Sequence, residues 1–307
     1  MKRLYLLLAA LLTAALLCAC GSSAPAPAPD PQPEEPAEQP AGESAVTALI
    51  CSDGDRLLRF HRDDDGSWLW TDDVSFPLDG RYVDTLLAMT RELDTLQSIP
   101  SPQGPENYDL YNVRRYVTVR RDDGTSVTYR VGKQAESGEY YVNTTADPDR
   151  ICLAPERMLS AMGRSIYDMA LLPRLPALTT QSLRSVTVTR GDEETRITVK
   201  RGRWLLDDRD VTDETQMLQL AELLAAPAVS RCLDYAPSDG AAALCGLDPP
   251  AAMLEAEYTD VGERASFVLS VGSLTADGSS CCVTVGDDGT IYLMDAGPLA
   301  VLRNWNE

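Results

Sequence analysis

Apolar residues recur every three or four positions in two segments of the chain, residues 83–96 and residues 212–225. The first segment carries Leu86 and Leu93 in this spacing, and the second carries Leu220 among its apolar positions. Such spacing places apolar side chains along one face of an α-helix. Each segment is therefore predicted to be an amphipathic helix packed on another layer of structure.

Alternating apolar and polar residues predict half-buried β-strands at residues 116–121, 126–131 and 253–258. Asp-Gly pairs such as Asp123-Gly124 separate several of these segments, and they supply the positive φ angles of tight hairpins. Consecutive strands joined by short hairpins form a β meander, and the predicted helix packs across it. The predicted fold class is α+β with mostly antiparallel sheet.

The same order of predicted elements occurs twice along the chain. Trp68 and Trp204 stand in similar segments, each ahead of one predicted helix, and residues 128–132 match residues 268–272. Because the matching segments keep their order, they indicate an internal duplication.

The duplication predicts two tandem similar units, residues 45–175 and residues 176–307. Each unit is expected to be a mostly antiparallel β meander with one packed amphipathic helix and a short terminal helix.

A short positive segment and an apolar run over residues 4–17 precede Cys20. The run is of signal-peptide length and is too short to span a bilayer comfortably. The segment Leu17-Cys18-Ala19-Cys20 resembles the lipobox of bacterial lipoproteins, in which the last cysteine takes a diacylglycerol. The alternative is an ordinary secretory signal with two incidental cysteines.

Residues 1–19 are accordingly predicted to be a signal peptide, and Cys20 is predicted to be the lipid attachment site. Residues 20–44 follow as a linker rich in Pro, Ala and Glu. This composition favours an extended polyproline II stalk and no packed core. We expect the protein to be held by its lipid at the outer face of a bacterial membrane.

The chain of 307 residues is strongly acidic, with a formal net charge of −20. Such a charge repels the phosphates of nucleic acids, so no nucleic-acid partner is expected. It also repels anionic lipid headgroups, so membrane contact is expected through the lipid on Cys20 alone.

The motif Cys245-Gly246-Leu247-Asp248-Pro249-Pro250 and its degenerate counterpart at residues 108–112 resemble the bacterial family catalogued as domain of unknown function 4340. The resemblance extends over roughly residues 46–302. It implies an envelope lipoprotein or membrane-tethered protein, in some cases associated with transporter components. It implies no catalytic residues.

Candidate chemistry is sparse. His61 is the only histidine, and it stands in a predicted strand where a surface position explains it. The acidic run Asp63-Asp64-Asp65 lacks the spacing of an EF-hand loop and is explained by a hairpin turn. We therefore predict no enzymatic activity, no metal site and no cofactor.

Six cysteines follow Cys20, an even number that permits disulfides in an exported protein. Cys232 and Cys245 flank one loop and are the best local pair for a disulfide. Cys281 and Cys282 are adjacent in a predicted strand, so their side chains should point to opposite faces.

Four aromatic residues, Trp68, Trp70, Tyr140 and Tyr141, are candidates for a binding surface. The alternative is that some lie in the core and others are exposed strand residues.

We expect a non-enzymatic interaction module for an envelope protein or an ABC transporter. The alternative is a lipoprotein that binds a small molecule or a glycan between the two units. A deep polar cleft near residues 173–180 would favour this alternative, and a tightly packed boundary would count against it.

Overall fold

The computed structural model describes residues 44–100 and residues 102–305, and its main feature is a pair of antiparallel β-sheets. Within these residues the sheets contain seven and nine strands and are accompanied by five α-helices. The predicted α+β class with antiparallel sheet is confirmed. The predicted signal peptide, the lipid site at Cys20 and all of the linker up to residue 43 lie outside the described residues.

The first sheet has the strand order β3-β2-β1-β4-β5-β6-β7. Its strands are β1 (Val46–Asp53), β2 (Leu57–Arg62), β3 (Trp68–Trp70), β4 (Arg115–Arg121), β5 (Ser126–Gln134), β6 (Tyr140–Thr144) and β7 (Cys152–Ala154). Helix α1 (Arg81–Thr95) follows β3, and the short helix α2 (Glu156–Leu159) follows β7.

The second sheet has the strand order β11-β10-β9-β8-β13-β14-β15-β16-β12. Its strands are β8 (Leu183–Arg190), β9 (Glu193–Lys200), β10 (Arg203–Leu206), β11 (Arg209–Asp210), β12 (Val229–Asp234), β13 (Ala252–Asp260), β14 (Glu263–Leu274), β15 (Ser280–Val285) and β16 (Ile291–Asp295). The remaining helices are α3 (Thr215–Ala225), α4 (Ala241–Leu244) and α5 (Ala296–Arg303).

The two sheets share one strand order. Strands β10-β9-β8-β13-β14-β15-β16 of the second sheet follow the same sequence of neighbours as all seven strands of the first. The second sheet adds β11 at one edge and β12 at the other. In both sheets a helix stands between the third strand of the opening meander and the later strands.

Helices cover one face of each sheet, as their apolar spacing predicts. Helix α1 buries Val83, Leu86 and Leu93 in a core with Leu49 and Phe60. In the second sheet, α3 and α5 together provide the apolar cover, with buried side chains Met217, Leu220, Leu223, Leu224, Leu299, Val301 and Leu302. The two predicted helical segments are confirmed, and their ends shift by a few residues.

Two glycines let a loop lie directly against a strand in each sheet. A Cβ atom on Gly132 would clash with the backbone carbonyl oxygen of Tyr108, and one on Gly272 would clash with that of Cys245. The segment around Tyr108 therefore lies on β5 as the segment that follows α4, around Cys245, lies on β14. Only glycine permits so close an approach of two backbones.

We expect Gly272→Ala and Gly132→Ala each to lower the free energy of unfolding by about 1–3 kcal/mol, because the added methyl group forces the backbones apart. Gly297→Ala is the matched control, since it lies in α5 with open space around the added atom. That control should be neutral or slightly stabilising. Urea denaturation of all three variants is the measurement, and an unchanged Gly272→Ala would contradict the close approach.

Candidate functional site

The boundary between the two sheets is filled by an aromatic cluster around Phe76. The Phe76 ring lies edge-on to Trp70 at 5.5 Å and to Tyr235 at 5.3 Å between ring centroids. Tyr167 lies 6.1 Å from the same ring. Phe76 is only 3% exposed and packs in the core of the second sheet, although the chain places it between β3 and α1 of the first half.

Polar contacts flank this cluster. The Tyr235 hydroxyl donates a hydrogen bond to the Ser75 carbonyl oxygen at 2.7 Å, and the Arg231 guanidinium pairs with the Asp168 carboxylate at 3.0 Å. Burial alone would raise the pKa of Asp168, but hydrogen bonds from Ser165 and the charge of Arg231 hold the pKa below its usual value. The ion pair across the boundary is therefore present at neutral pH.

The hydroxyl of Tyr167 stays protonated in this setting. Burial, and then the negative charge of Asp234, raise the pKa of Tyr167 above its usual value. Trp70, Leu78 and Ile166 pack against the apolar cores of both sheets. The boundary is thus a packed interior joining the sheets.

Beside the packed boundary lies an open surface groove of about 1070 Å³, here called the boundary groove. Residues from both halves line it: Asp73, Ser75, Pro77, Leu171, Leu172, Pro173, Arg174, Tyr235, Ala236, Pro237, Asp288, Gly289, Thr290 and Tyr292. Its lining includes three prolines and Tyr235, and it also includes the acidic residues Asp73 and Asp288.

A second open groove of about 1060 Å³ lies between α3 and α5. The apolar side chains of Leu223 and Val301 lie at its base, and the amides of Gln216, Gln219 and Asn304 stand along it. Amides that can both donate and accept hydrogen bonds suit a hydroxylated ligand.

The four aromatic residues proposed from the sequence do not form one surface. Trp68 and Trp70 lie on β3 at one edge of the first sheet, and Tyr140 and Tyr141 lie on β6 five strands away, roughly 24 Å at the usual strand spacing. Trp68 is 6% exposed, and its indole N–H donates to Asp84. Trp68 is buried in the core of the first sheet, and Trp70 is partly buried against both cores, so neither forms a common surface with the two tyrosines.

The predicted bridge between Cys232 and Cys245 is not present, and both are free thiols. Cys232 is buried in the core of the second sheet, where Asp234 stands beside it, while Cys245 packs in a separate small cluster with Leu247 and Ile291. Burial raises the pKa of Cys232 to about 11, so it is an unreactive thiol. The strand β12 and the helix α4 place the two cysteines in different apolar clusters, although they are close in sequence.

The adjacent cysteines of β15 point to opposite faces, as predicted. Cys281 is buried in the main core of the second sheet, and Cys282 is buried in the small cluster that contains Leu247. His61 is half-buried on β2 and its ring hydrogen-bonds the Thr71 hydroxyl at 3.0 Å.

Among residues 44–100 and 102–305, no group of three or more His, Cys, Asp or Glu side chains is placed to hold a metal ion. Within the same residues, no helix has the length and apolar character needed to cross a bilayer.

Sequence reasoning missed the residues that build the boundary, chiefly Phe76, Tyr167 and Tyr235. All three stand in segments without strand or α-helical periodicity, where an aromatic side chain gives no sign of its partner. Their one signal is proximity to prolines, since Pro77 follows Phe76 and Pro237 stands near Tyr235.

No family model matches this chain, and no curated protein or solved structure is found to be similar to it. The resemblance described from the Gly-Leu-Asp-Pro-Pro motif therefore stays a hypothesis.

Replacing Phe76 by alanine should lower the free energy of unfolding by about 3–5 kcal/mol, because it leaves a cavity among three aromatic rings. Tyr235→Phe should cost only about 0.5–1.5 kcal/mol, since it removes one hydrogen bond to Ser75. Tyr111→Ala is the control, because Tyr111 is 75% exposed. Denaturant unfolding gives all three values, and a Phe76→Ala loss no larger than that of the control would contradict a packed boundary.

Proposed function

We propose that the protein is a membrane-anchored extracytoplasmic lipoprotein whose body is a non-enzymatic interaction module for an envelope or transporter-associated protein. In this proposal Cys20 carries the lipid, residues 20–44 form the stalk and the boundary groove receives the partner. The sequence supports the anchor through its lipobox-like segment, and the body supports the partner site through its shape.

We also infer that the body consists of two tandem similar units. The shared order of seven strands supports this inference, as does the position of one helix in each half. The glycines at 132 and 272 support it further, because each receives the backbone of a corresponding loop. Phe76 then marks the point at which the two units are joined.

The observation that carries the proposed function is the packed boundary with an open groove beside it. Sites for small molecules are concave and bury most of the ligand surface. The boundary groove is instead open to solvent, and we infer that it suits an extended polypeptide segment. Its proline and tyrosine side chains lose little conformational freedom on binding, which favours their use as contact residues.

The charge of the protein indicates the character of that segment. Asp73 and Asp288 stand at the groove, Arg174 is its one cation among the lining residues described above, and the whole chain has a formal net charge of −20. Complementary charge accelerates association and selects partners. We therefore propose a basic, extended segment of an envelope protein as the occupant.

The alternative function is a lipoprotein that binds a glycan or another small hydroxylated molecule. The groove between α3 and α5 favours this alternative, since Gln216, Gln219 and Asn304 present amides over an apolar base. The two functions use different surfaces and can be separated by substitution at each.

The anchor predicts that cells supplied with a labelled fatty acid incorporate it into the wild-type chain. Cys20→Ser should abolish incorporation, because the thiol that accepts the diacylglycerol is lost. Cys18→Ser is the matched control and should keep the label, since Cys18 has Leu17 rather than a small residue before it. Label retained by Cys20→Ser would overturn the anchor.

The partner site predicts that a photo-crosslinking amino acid at position 174 or 288, in intact cells at native abundance, captures one envelope protein through a Lys/Arg-rich segment. The same probe at position 261 is the control, because Val261 is 99% exposed in the hairpin between β13 and β14 and does not line the groove. Asp73→Lys should lower the yield of the adduct through charge repulsion.

Equal capture at positions 174, 288 and 261 would overturn the groove as the partner site. Capture by a probe at position 219 alone would indicate that the partner binds in the groove between α3 and α5 instead.

A further inference from the structure

The fold brings Cys245 and Cys282 together. The carbonyl oxygen of Cys245 accepts a hydrogen bond from the backbone N–H of Ser273 on β14 at 2.8 Å. Strand β15 pairs with β14 so that Val283 lies opposite Val271 and Cys281 lies opposite Leu274, which places Cys282 beside Ser273. Cys245 accordingly packs against the cluster that contains the buried Cys282 side chain.

The first sheet has a contact at the corresponding place. Its loop carries Tyr108, whose carbonyl oxygen lies against Gly132 as that of Cys245 lies against Gly272. The Tyr108 ring lies 4.5 Å from the ring of Tyr141, measured between centroids.

Strand registers show that Tyr141 and Cys282 are corresponding positions. In the first sheet Val131 pairs with Val142, and in the second Val271 pairs with Val283. Tyr141 immediately precedes Val142, and Cys282 immediately precedes Val283, so the two occupy the same position in the register. One contact between loop and strand is thus made by two tyrosines in the first half and by two cysteines in the second.

We propose that Cys245 and Cys282 form a disulfide that locks the loop after α4 onto β15. The bond would hold this loop on its neighbouring strand covalently, as the Tyr108–Tyr141 ring contact holds the corresponding loop in the first sheet. The geometry of the pair is independent of the proposed function, but formation of the bond in the cell rests on the proposed export to an oxidising compartment.

The chemistry requires a disulfide as oxidant, supplied by an exported thiol oxidoreductase or by a low-molecular-weight disulfide. Cys245 is the half-buried member of the pair, so its thiolate attacks the oxidant first, forming a mixed disulfide and releasing one thiol. The Cys282 thiol then loses its proton, and its thiolate attacks the Cys245 sulfur and releases the second thiol. Two electrons pass to the oxidant, and the two thiol protons pass to its two released thiolates.

The state of Cys282 fits the second role. Burial, and then the hydrogen bond with Cys245, raise the pKa of Cys282 to about 11, so Cys282 is a poor first nucleophile and the first attack falls to Cys245. Cys281 cannot replace it, because its side chain packs in the main core on the opposite face of β15.

Peptide mapping of the full chain tests the pairing. The purified protein is treated with oxidised glutathione, free thiols are alkylated under denaturing conditions, and trypsin then cleaves after Arg231, Arg264 and Arg303. The proposed bond joins the peptide of residues 232–264 to the peptide of residues 265–303. A bond between Cys232 and Cys245 would instead lie inside the first peptide.

Substitutions assign the sulfurs. The joined peptides should disappear in Cys245→Ser and in Cys282→Ala and should persist in Cys232→Ala and in Cys281→Ala. Alkylation of both Cys245 and Cys282 after oxidation would overturn the proposal, as would a bond confined to residues 232–264.

Stability gives a second readout. The oxidised wild type should have a Tm higher than the reduced form by roughly 5–10 °C, and Cys245→Ser should show no such difference. An oxidised and a reduced form with the same Tm would contradict a lock on the loop.

Alkylation of thiols in intact cells separates this proposal from the proposed location. A bond found both in cells and in the purified protein supports both proposals. A bond that forms only in the purified protein overturns the exported location and leaves the pairing supported.

Discussion

The two sheets meet around one side chain, Phe76, and the form of the surface between them depends on its burial. Phe76 stands in a segment without strand or α-helical structure after β3, yet its ring packs among Trp70, Tyr167 and Tyr235 and belongs to the core of the second sheet. Protein interiors pack as densely as organic crystals. The Phe76 ring therefore constrains the relative positions of the segments that carry Trp70, Tyr167 and Tyr235.

The packing around Phe76 also explains why the boundary presents a groove rather than a cleft. The space between the sheets is taken up by aromatic rings, and the hydrogen bond from Tyr235 to Ser75 and the ion pair of Arg231 with Asp168 close its flanks. What is left beside it is an open groove of about 1070 Å³ bordered by proline and tyrosine.

The acidic character of the body has a local structural cause in many places. Asp123 accepts hydrogen bonds from the backbone N–H of Thr125 and the hydroxyl of Ser44, and Asp277 accepts them from the backbone N–H and hydroxyl groups of its own turn. These bonds lower the pKa of each carboxylate to about 2, so both remain ionised. They therefore contribute to the negative surface that would attract a basic partner, and they are unsuited to exchange protons in catalysis near neutral pH.

The sequence by itself determined the two longest helices, several strands, the Asp-Gly turns and the opposite orientation of Cys281 and Cys282, because each is set by a pattern within a few residues. It also brought out two corresponding strand segments, residues 128–132 and residues 268–272, in which Gly132 and Gly272 stand at matching positions. Only the tertiary structure decided that Phe76 would close the boundary, that Trp68 would be buried far from Tyr140, and that Cys245 would lie beside Cys282 rather than Cys232. These contacts depend on the order and register of strands that are distant in the chain, and local sequence carries no record of which distant strand will be the neighbour.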